Sequence, residues 1–491
     1  MIKRGIFFLF FFGFLSCAQA QSVSKNTVVA KDSVVASISK QYSDPSFLRK
    51  IFLGSNYRKT WETPVRFPVF HLKEKGFTIK DLGGGMQTKS LRLEDKNGEE
   101  WVLRSLEKDV EKAVPEKVQG TIGQKVAQDM VSGSQPYAPL TIHRLAEAVG
   151  VVSADPVYYY IPDDPAFGDY RKQFANTVCM LEQREPTPDN SETDNTEKLV
   201  KELLEGKDHM VWQENLLKAR LLDMLIADWD RHADQWRWGK KETDSGTYFY
   251  PIPRDRDQAY FESKGLLVKT AKFFLLHFLS EFKPKVTSFK ALNTKAWSFD
   301  AYLLNDLDRK DWTRITTNFQ NQLTDDVIHE AILKMPAPIY ALDGLETESI
   351  LRARRDQLLK GALNYYDDQA RSVSIIGSED PELYHITGGK DSLTVMVYNL
   401  SSKYKNLVMY HRTFLPKETK LIKLMSLDGD DQFVIDKSVS SKIKFEIDGG
   451  QGNNIFDLKG NVKTEIFYSN ETAKTYLEIL KTYLRIGIRF I

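Results

Sequence analysis

Two cysteines, Cys17 and Cys179, are all that this 491-residue chain contains. If the amino end is removed as an export signal, one thiol remains. An intrachain disulfide is then excluded, and so is a Cys-based zinc site. The fold must be held by its core. A surplus of one charge is also missing: 68 Lys and Arg stand against 67 Asp and Glu, for a net charge of +1. The overall balance therefore makes no electrostatic case for nucleic acid as a partner, or for an anionic membrane. Beyond the amino end, no window reaches the length of a membrane-spanning helix. The sequence lacks GxxxxGK[ST], GxSxG and HExxH, which disfavours a P-loop NTPase, an α/β-hydrolase and a zincin.

The amino end does carry a signal. Lys3 and Arg4 precede an apolar, Phe-rich run over 5–15, and Ala18-Gln19-Ala20 follows as a small-residue cleavage pattern. Residues 1–20 read as an export signal with a mature start at Gln21. Residues 14–17, Phe-Leu-Ser-Cys, loosely match a lipoprotein box, which makes Cys17 a candidate for lipidation. The expected location is the periplasm or the outer membrane.

One core seldom grows past about 250–300 residues, so the chain has room for two or three domains. Residues 21–44 read as a flexible lead. A glycine-rich hairpin follows, with strands at 77–82, 88–93 and 100–106 around Gly83-Gly84-Gly85 and the turn Lys96-Asn97-Gly98. Helical spacing covers 119–134, 143–149, 198–204 and 210–227, the last apolar enough to be buried. Strands are expected at 157–161, 177–181 and 248–252. Residues 186–197, PTPDNSETDNTE, have no apolar anchor and read as a surface loop. Helices at 266–282, 324–334 and 346–366 come next. Strands dominate after 368, which sets a boundary near 370–385 and a β-rich unit over 385–470.

Two acidic motifs carry the chemistry. The first, LIADWDRHADQWRW at 225–238, places Asp228, Asp230, Arg231, His232, Asp234 and Gln235 behind an apolar run. The second, PIPRDRDQAY at 251–260, follows a strand. Strand alternation would set Asp255 and Asp257 on one face, a pairing that suits a cation. Carboxylates and amides supply the oxygen ligands that Mg²⁺ prefers, and a carboxylate can orient or deprotonate a hydroxyl. Each motif also has a plainer reading: a helix end with solvated charges, or a surface turn in which Arg254 and Arg256 pair with the acids. Gly83, Gly84 and Gly85 would let backbone approach phosphates, or simply form a turn.

The order of these parts resembles an atypical protein-kinase-like fold of the HipA-like and CotH-like kind, and more loosely the phosphoinositide-lipid kinases. That resemblance implies an α+β fold: a bilobal kinase-like domain over 45–370, then a smaller β-rich domain, a sandwich or a short solenoid. By likeness, Asp230 is the catalytic Asp of Asp230-Arg231-His232, with His232 beside it. The pattern has Asn five positions after that Asp. Here the residue is Gln235, and Asp234 is a substitute. PRDRD is similar to a Pro-x-Asp-x-Asp metal motif, which implies Asp257 or Asp255 as the metal ligand. Arg104 stands where such kinases place a phosphate-binding Lys, and Lys108 lies just beyond. Asp129 would be the acidic partner of that base, and Glu182 ends the strand Met180-Leu181-Glu182. Gly83, Gly84, Gly85, Arg104, Lys108, Asp129 and Glu182 form the implied cofactor set, and Asp234, Gln235, Asp255 and Asp257 the implied metal set. The cofactors would be Mg²⁺ or Mn²⁺ with ATP, acting on an acceptor that the sequence does not name.

A narrower likeness spans about 45–470. NYRKTW, GGGMQTKSLRL, VLRSLEKD and the two acidic motifs resemble an uncharacterised bacterial envelope family often fused to a metallophosphoesterase and a surface-antigen barrel. It implies an envelope or outer-membrane protein partner. The phosphoesterase marks, an early Asp-x-His and a Gly-Asn-His-Glu/Asp segment, are absent. Two further classes stay open: a non-catalytic assembly module, and a metal-dependent phosphoester hydrolase. The turns LDGDD at 427–431 and DGGQGNN at 448–454 are similar to Ca²⁺-binding β-roll turns, but two imperfect copies fit tight structural turns better. Residues 471–491 read as a tail ending in a strand-like LRIGIRFI.

Overall fold

The computed structural model describes residues 32–467, apart from 44, 84–87, 112–113, 190, 207, 275–277 and 402–406. Residues 1–20, Cys17, Gly84, Gly85 and the tail 471–491 lie outside the described residues. The architecture is mixed α+β.

A five-stranded antiparallel sheet comes first. Its order is Thr78–Gly83, Ser90–Glu94, Glu100–Ser105, Thr177–Gln183 and Val157–Ile161. Alternation along the strands separates two faces. Leu91, Leu103 and Leu181 lie opposite one another and join Phe70, Phe167 and Phe174 in one core. Arg104 and Glu182, one residue later on their strands, belong to the other face. Helices Ile122–Met130 and Ala138–Ala148 bridge the third strand and the fourth in sequence.

The buried helix Gln213–Ile226 follows, with every residue from Leu216 onward buried except Lys218. Beyond it, Trp236–Thr243 and Gly246–Pro253 pair as an antiparallel hairpin in a four-stranded sheet. The register sets Trp236 opposite Pro253. The residues just before Trp236 and just after Pro253 therefore meet at the open end of this hairpin. That pairing brings the two acidic motifs together.

Helices from Leu266–Phe274 to the 26-residue Leu345–Ala370 complete the large core. After Ala370 the chain alternates between two parallel ladders. One holds Ser372–Ile376, Leu421–Met425, Lys444–Asp448 and Thr464–Phe467. The other holds Glu382–Gly388, Gln432–Ile435 and Ile455–Leu458. Leu393–Asn399 and Leu407–Phe414 extend the second ladder as an antiparallel meander. This is solenoid winding, not a sandwich. The Gly/Asp turns stack on each other: Gln451 N–H donates to Leu427 O at 2.9 Å, and Asn453 N–H to Asp430 Oδ1 at 2.7 Å. Gly450 and Gly452 have φ of 61° and 107°, and a Cβ on either would meet the carbonyl oxygen of the turn below at about 2 Å. Glycine is required there for stacking.

Several sequence expectations change. Ser33–Ala36, within the stretch read as a flexible lead, is a strand paired with Val65–Pro68. Residues 210 and 211, expected as the start of a helix, belong to the strand His209–Val211 beside Gly246–Pro253. The expected surface loop 186–197 buries Thr187 and Thr193, and Asp194–Asn195 pairs with Trp238 and Arg237. Tertiary pairing overrides local composition in each case. Among the described residues, no helix is long and apolar enough to cross a membrane.

The solenoid joins the helical body through polar contacts. Arg412 Nη1 and Tyr410 Oη donate to Asn305 O at 2.6 and 2.9 Å. Next to them, Asp306 accepts the His411 N–H at 3.1 Å. Burial pushes the Asp306 carboxyl up to about 6, against the pull of the His411 N–H and Arg412. A carboxyl raised on folding contributes stability that is intact below the unfolded pKa near 4 and is lost as pH rises through 6. Asp306→Asn removes that loss. Its stability relative to wild type should rise by about 2 kcal/mol between pH 4 and pH 8, after allowance for partial exposure. Parallel pH profiles in thermal melts would contradict this.

Candidate functional site

The site begins at the carboxy end of the buried helix. Ala227 takes the left-handed conformation, φ 58°, and turns the chain out of the helix. A non-glycine residue there costs on the order of 1 kcal/mol, so the surroundings must hold it. Arg354, on the 26-residue helix, donates to Met224 O and Leu225 O, each at 2.6 Å. The Tyr260 N–H, from the second motif, donates to Ile226 O at 2.9 Å. Two distant segments thus satisfy three of the carbonyls that a helix end leaves open. Burial pulls the Arg354 guanidinium down to about 9.

Beneath this end lies a buried ion network centred on Asp223. Its carboxylate lies 2.6 Å from Arg220 Nη1, 3.0 Å from Arg256 Nη2 and 3.4 Å from Arg231 Nε. Arg220 also binds Asp300 at 2.8 Å and Asn293 at 2.6 Å. Arg231 belongs to the first motif and Arg256 to the second. Arg231 Nη1 donates to Arg254 O at 2.6 Å and Arg231 Nη2 to Gln235 O at 3.0 Å. Arg256, read as the partner of a surface turn, is instead buried. Gln235 ties the motifs again: its amide nitrogen is best oriented toward Arg254 O at 3.0 Å and Asp255 O at 3.1 Å. The adjoining Asp228 is fully enclosed, and burial pushes its carboxyl above the ordinary range against the pull of Arg231.

Above the network, carboxylates meet cations across a cleft. The strand Gly246–Pro253 ends before the second motif, and Asp255 has φ 56°. Asp255 and Asp257 are therefore loop residues rather than one face of a strand. Each takes a different cation, Arg104 on the third strand of the five-stranded sheet or Lys108 just past that strand's end. Asp255 accepts from Arg104 Nη1 at 2.8 Å, and Asp257 pairs with Lys108. Glu182 stands 3.8 Å from the same Arg104. Burial pushes Asp257 above the ordinary carboxylate range, Lys108 opposes it, and Asp255 and Asp230 reinforce it by repulsion. Burial acts alike on Asp255, yet Arg104 and Lys108 hold it below that range. The cleft is also lined by Leu106, Ile142, Pro156 and Met180. Polar groups converging on an apolar-walled cleft are what a bound small molecule needs.

Asp230 accepts from Lys295 Nζ at 2.5 Å. The lysine lies over the Trp229 and Phe278 rings, at 4.9 and 5.1 Å, and is only 10% exposed. Sequence reasoning missed it, because a lone lysine 65 positions downstream has no motif. It also missed Asp223 and Arg220. These had a signal: two opposite charges three apart inside a run otherwise apolar enough to be buried.

The remaining residues are placed less centrally. His232 lies 3.9 Å from Asp234 and 3.4 Å from the Gln235 amide, and burial lowers its pKa below the ordinary histidine value. The Asp234 side chain is 57% exposed. Asp129 does not reach Arg104 or Lys108: its buried carboxylate pairs with Arg58 and Arg49. Gly83 ends the first strand opposite Ser90. Among the described residues, no three His, Cys, Asp or Glu side chains gather as a metal site. The structure does not bring Asp234, Gln235, Asp255 and Asp257 together as one ligand set.

No family model matches this chain, and no curated protein does. Among solved structures, it is similar to the Helicobacter pylori proinflammatory kinase CtkA, with a TM-score of 0.31 and 11% identity over 61% of this chain and 98% of that one. It is also similar to the Rio2 kinase of Chaetomium thermophilum, solved as an ADP/Mg²⁺-phosphoaspartate complex. There the TM-score is 0.23 and the identity 11%, over 58% of this chain and 74% of that one. At these TM-scores neither likeness carries an argument.

Removing one partner from a buried ion network leaves charges without solvent or counter-ion, at a cost of about 3–5 kcal/mol. Asp223→Ala removes the carboxylate that three guanidinium groups share, although Arg220 and Arg231 keep other partners, and should lose about that much in denaturant melts. Asp234→Ala, at an exposed position, should change stability by less than about 0.5 kcal/mol. Equal losses for the two variants would contradict the network's role.

Proposed function

We propose that the cleft is a kinase-like centre that binds ATP with Mg²⁺ or Mn²⁺ and transfers the terminal phosphoryl group to an acceptor hydroxyl. The observation that carries this reading is the facing of Arg104 and Lys108 with Asp255 and Asp257, beside Asp230. Guanidinium and ammonium groups suit phosphate oxygens, and carboxylates suit a hard cation. The fit is to the pair, not to the metal alone. Each carboxylate already has a cation partner, so a lone metal would have to displace one. With a polyphosphate, Lys108 and Arg104 would turn to the phosphates and free Asp257 and Asp255 for the metal. The bound metal would neutralise charge on the transferring group.

The chain's own residues divide the remaining work. Asp230 would accept the proton of the acceptor hydroxyl, a step worth about 10²–10⁴ in rate. Lys295 would hold the Asp230 carboxylate in place. Asp223, Arg231 and Gln235 would fix the two loops against each other. Glu182 lines the proposed nucleotide region. Asp129, tied to Arg58 and Arg49, supports the helix Ile122–Met130 rather than the phosphate-binding base. A binding module without turnover is the second reading, favoured by the ion-paired state of Asp255 and Asp257. On either reading the chain is proposed to be exported to the envelope, with residues 45–370 as the kinase-like unit and 385–470 as the β-rich unit.

Transfer from γ-labelled ATP, to protein or to water, tests the active reading. Wild type with Mn²⁺ should release or transfer label. Asp230→Asn should lower the rate by about 10²-fold or more while keeping nucleotide binding. Label transfer unchanged in Asp230→Asn would contradict the assignment. Nucleotide binding with no transfer in wild type would leave the binding module standing.

A further inference from the structure

Two short helices each expose large apolar side chains. Phe47–Leu53, FLRKIFL, buries no residue and leaves Phe47 77% and Leu48 63% exposed, with Ile51 and Phe52 beside them. Leu266–Phe274, LLVKTAKFF, exposes Leu266 and Leu267. The two are neighbours at close range: a Cβ on Gly265 would lie 2.5 Å from Phe52 O. Ile122, 79% exposed, opens the helix Ile122–Met130, which packs beside Phe47–Leu53. Large apolar side chains gathered on one face mark an interaction site.

The charge on this face selects the partner. The two helices contain Arg49, Lys50, Lys269 and Lys272, and no Asp or Glu. Arg49 is engaged by Asp129, while Lys50 and Lys269 are exposed. In a chain whose acids and bases nearly cancel, a segment free of acids is a local bias that the net charge hides. We infer that this face docks on an anionic lipid bilayer. Phe47, Leu48, Phe52 and Leu267 enter the headgroup and acyl boundary, and the lysines meet lipid phosphates. A second copy of the chain is a poorer occupant, because a two-fold contact would bring both sets of cations together. The groove lined by Arg49, Leu53, Ile122 and Lys108 borders the face, so docking sets the mouth of that groove at the lipid surface. The inference does not depend on phosphoryl transfer.

The test uses the full chain and vesicles of phosphatidylcholine, with and without phosphatidylglycerol. Two readouts are taken: co-sedimentation, and amide exchange by segment. The expected result is tighter binding to the anionic vesicles, with exchange slowed in 47–53 and 266–274. Leu48→Ser with Phe52→Ser, and separately Lys50→Glu with Lys269→Glu, should each lower the partition at least about tenfold and abolish the slowing. All four positions are exposed, so the unfolding midpoints should match wild type. Failure to bind overturns the inference, as does equal binding to both vesicle types. Binding with exchange unchanged in the two segments also overturns it, because residues 1–20 or another surface then carry the contact. Slowing that appears without vesicles and rises with protein concentration assigns the face to self-association and overturns it too.

Discussion

Everything at the candidate site hangs on one buried carboxylate. Asp223 projects from the interior helix into contact with Arg220, Arg231 and Arg256, each from a different part of the centre. Taking these charges out of water costs several kcal/mol per ion, and only dense mutual pairing offsets it. The arrangement is therefore specific rather than cheap. It fixes where Arg231 and Arg256 sit, and with them the loops that carry Asp230, Asp255 and Asp257. Arg354 then closes the helix end from outside. The hairpin register, Trp236 opposite Pro253, delivers both loops to the same place.

The surface above that network is a set of exchangeable pairs. Arg104 with Asp255, Lys108 with Asp257 and Lys295 with Asp230 each join a basic side chain to an acidic one from another segment. Such pairing keeps the carboxylates from driving the loops apart, despite the repulsion that Asp257 receives from Asp255 and Asp230. On the proposed reading, metal and polyphosphate binding would be mutually dependent, because each ligand would take up the charges that the other sets free.

The sequence made some of this legible. Hairpin strands, the buried helix and the β-rich end follow from periodicity, and strands dominate after 368 as expected. The two motifs were visible as acidic clusters after apolar runs. Pairing was not visible. Asp129 looked like a partner for Arg104 or Lys108, yet Arg58 from a helix 71 positions earlier takes it. Asp255 and Asp257 looked like strand neighbours, yet the strand stops at Pro253. Strand Trp236–Thr243, WRWGKKET, carries too many charges and a glycine to read as a strand, and it exists because Gly246–Pro253 pairs with it. Lys295 has no local signal at all. Contacts over such distances depend on the packing of intervening helices, which composition does not encode.

The central claim is that the acidic and basic side chains of the cleft form one centre whose charges are redistributed by a metal-nucleotide pair. Its most direct measurement is a thermal-melt cycle on wild type and Asp257→Asn with Mg²⁺ alone, ATP alone, and both. A ligand that binds only the folded form stabilises it by about 2.7 kcal/mol at a hundredfold excess over Kd. The account predicts a wild-type shift for the pair that exceeds the sum of the separate shifts, and an Asp257→Asn response that loses the excess. A full shift with Mg²⁺ alone, or additive shifts that survive in Asp257→Asn, would contradict it.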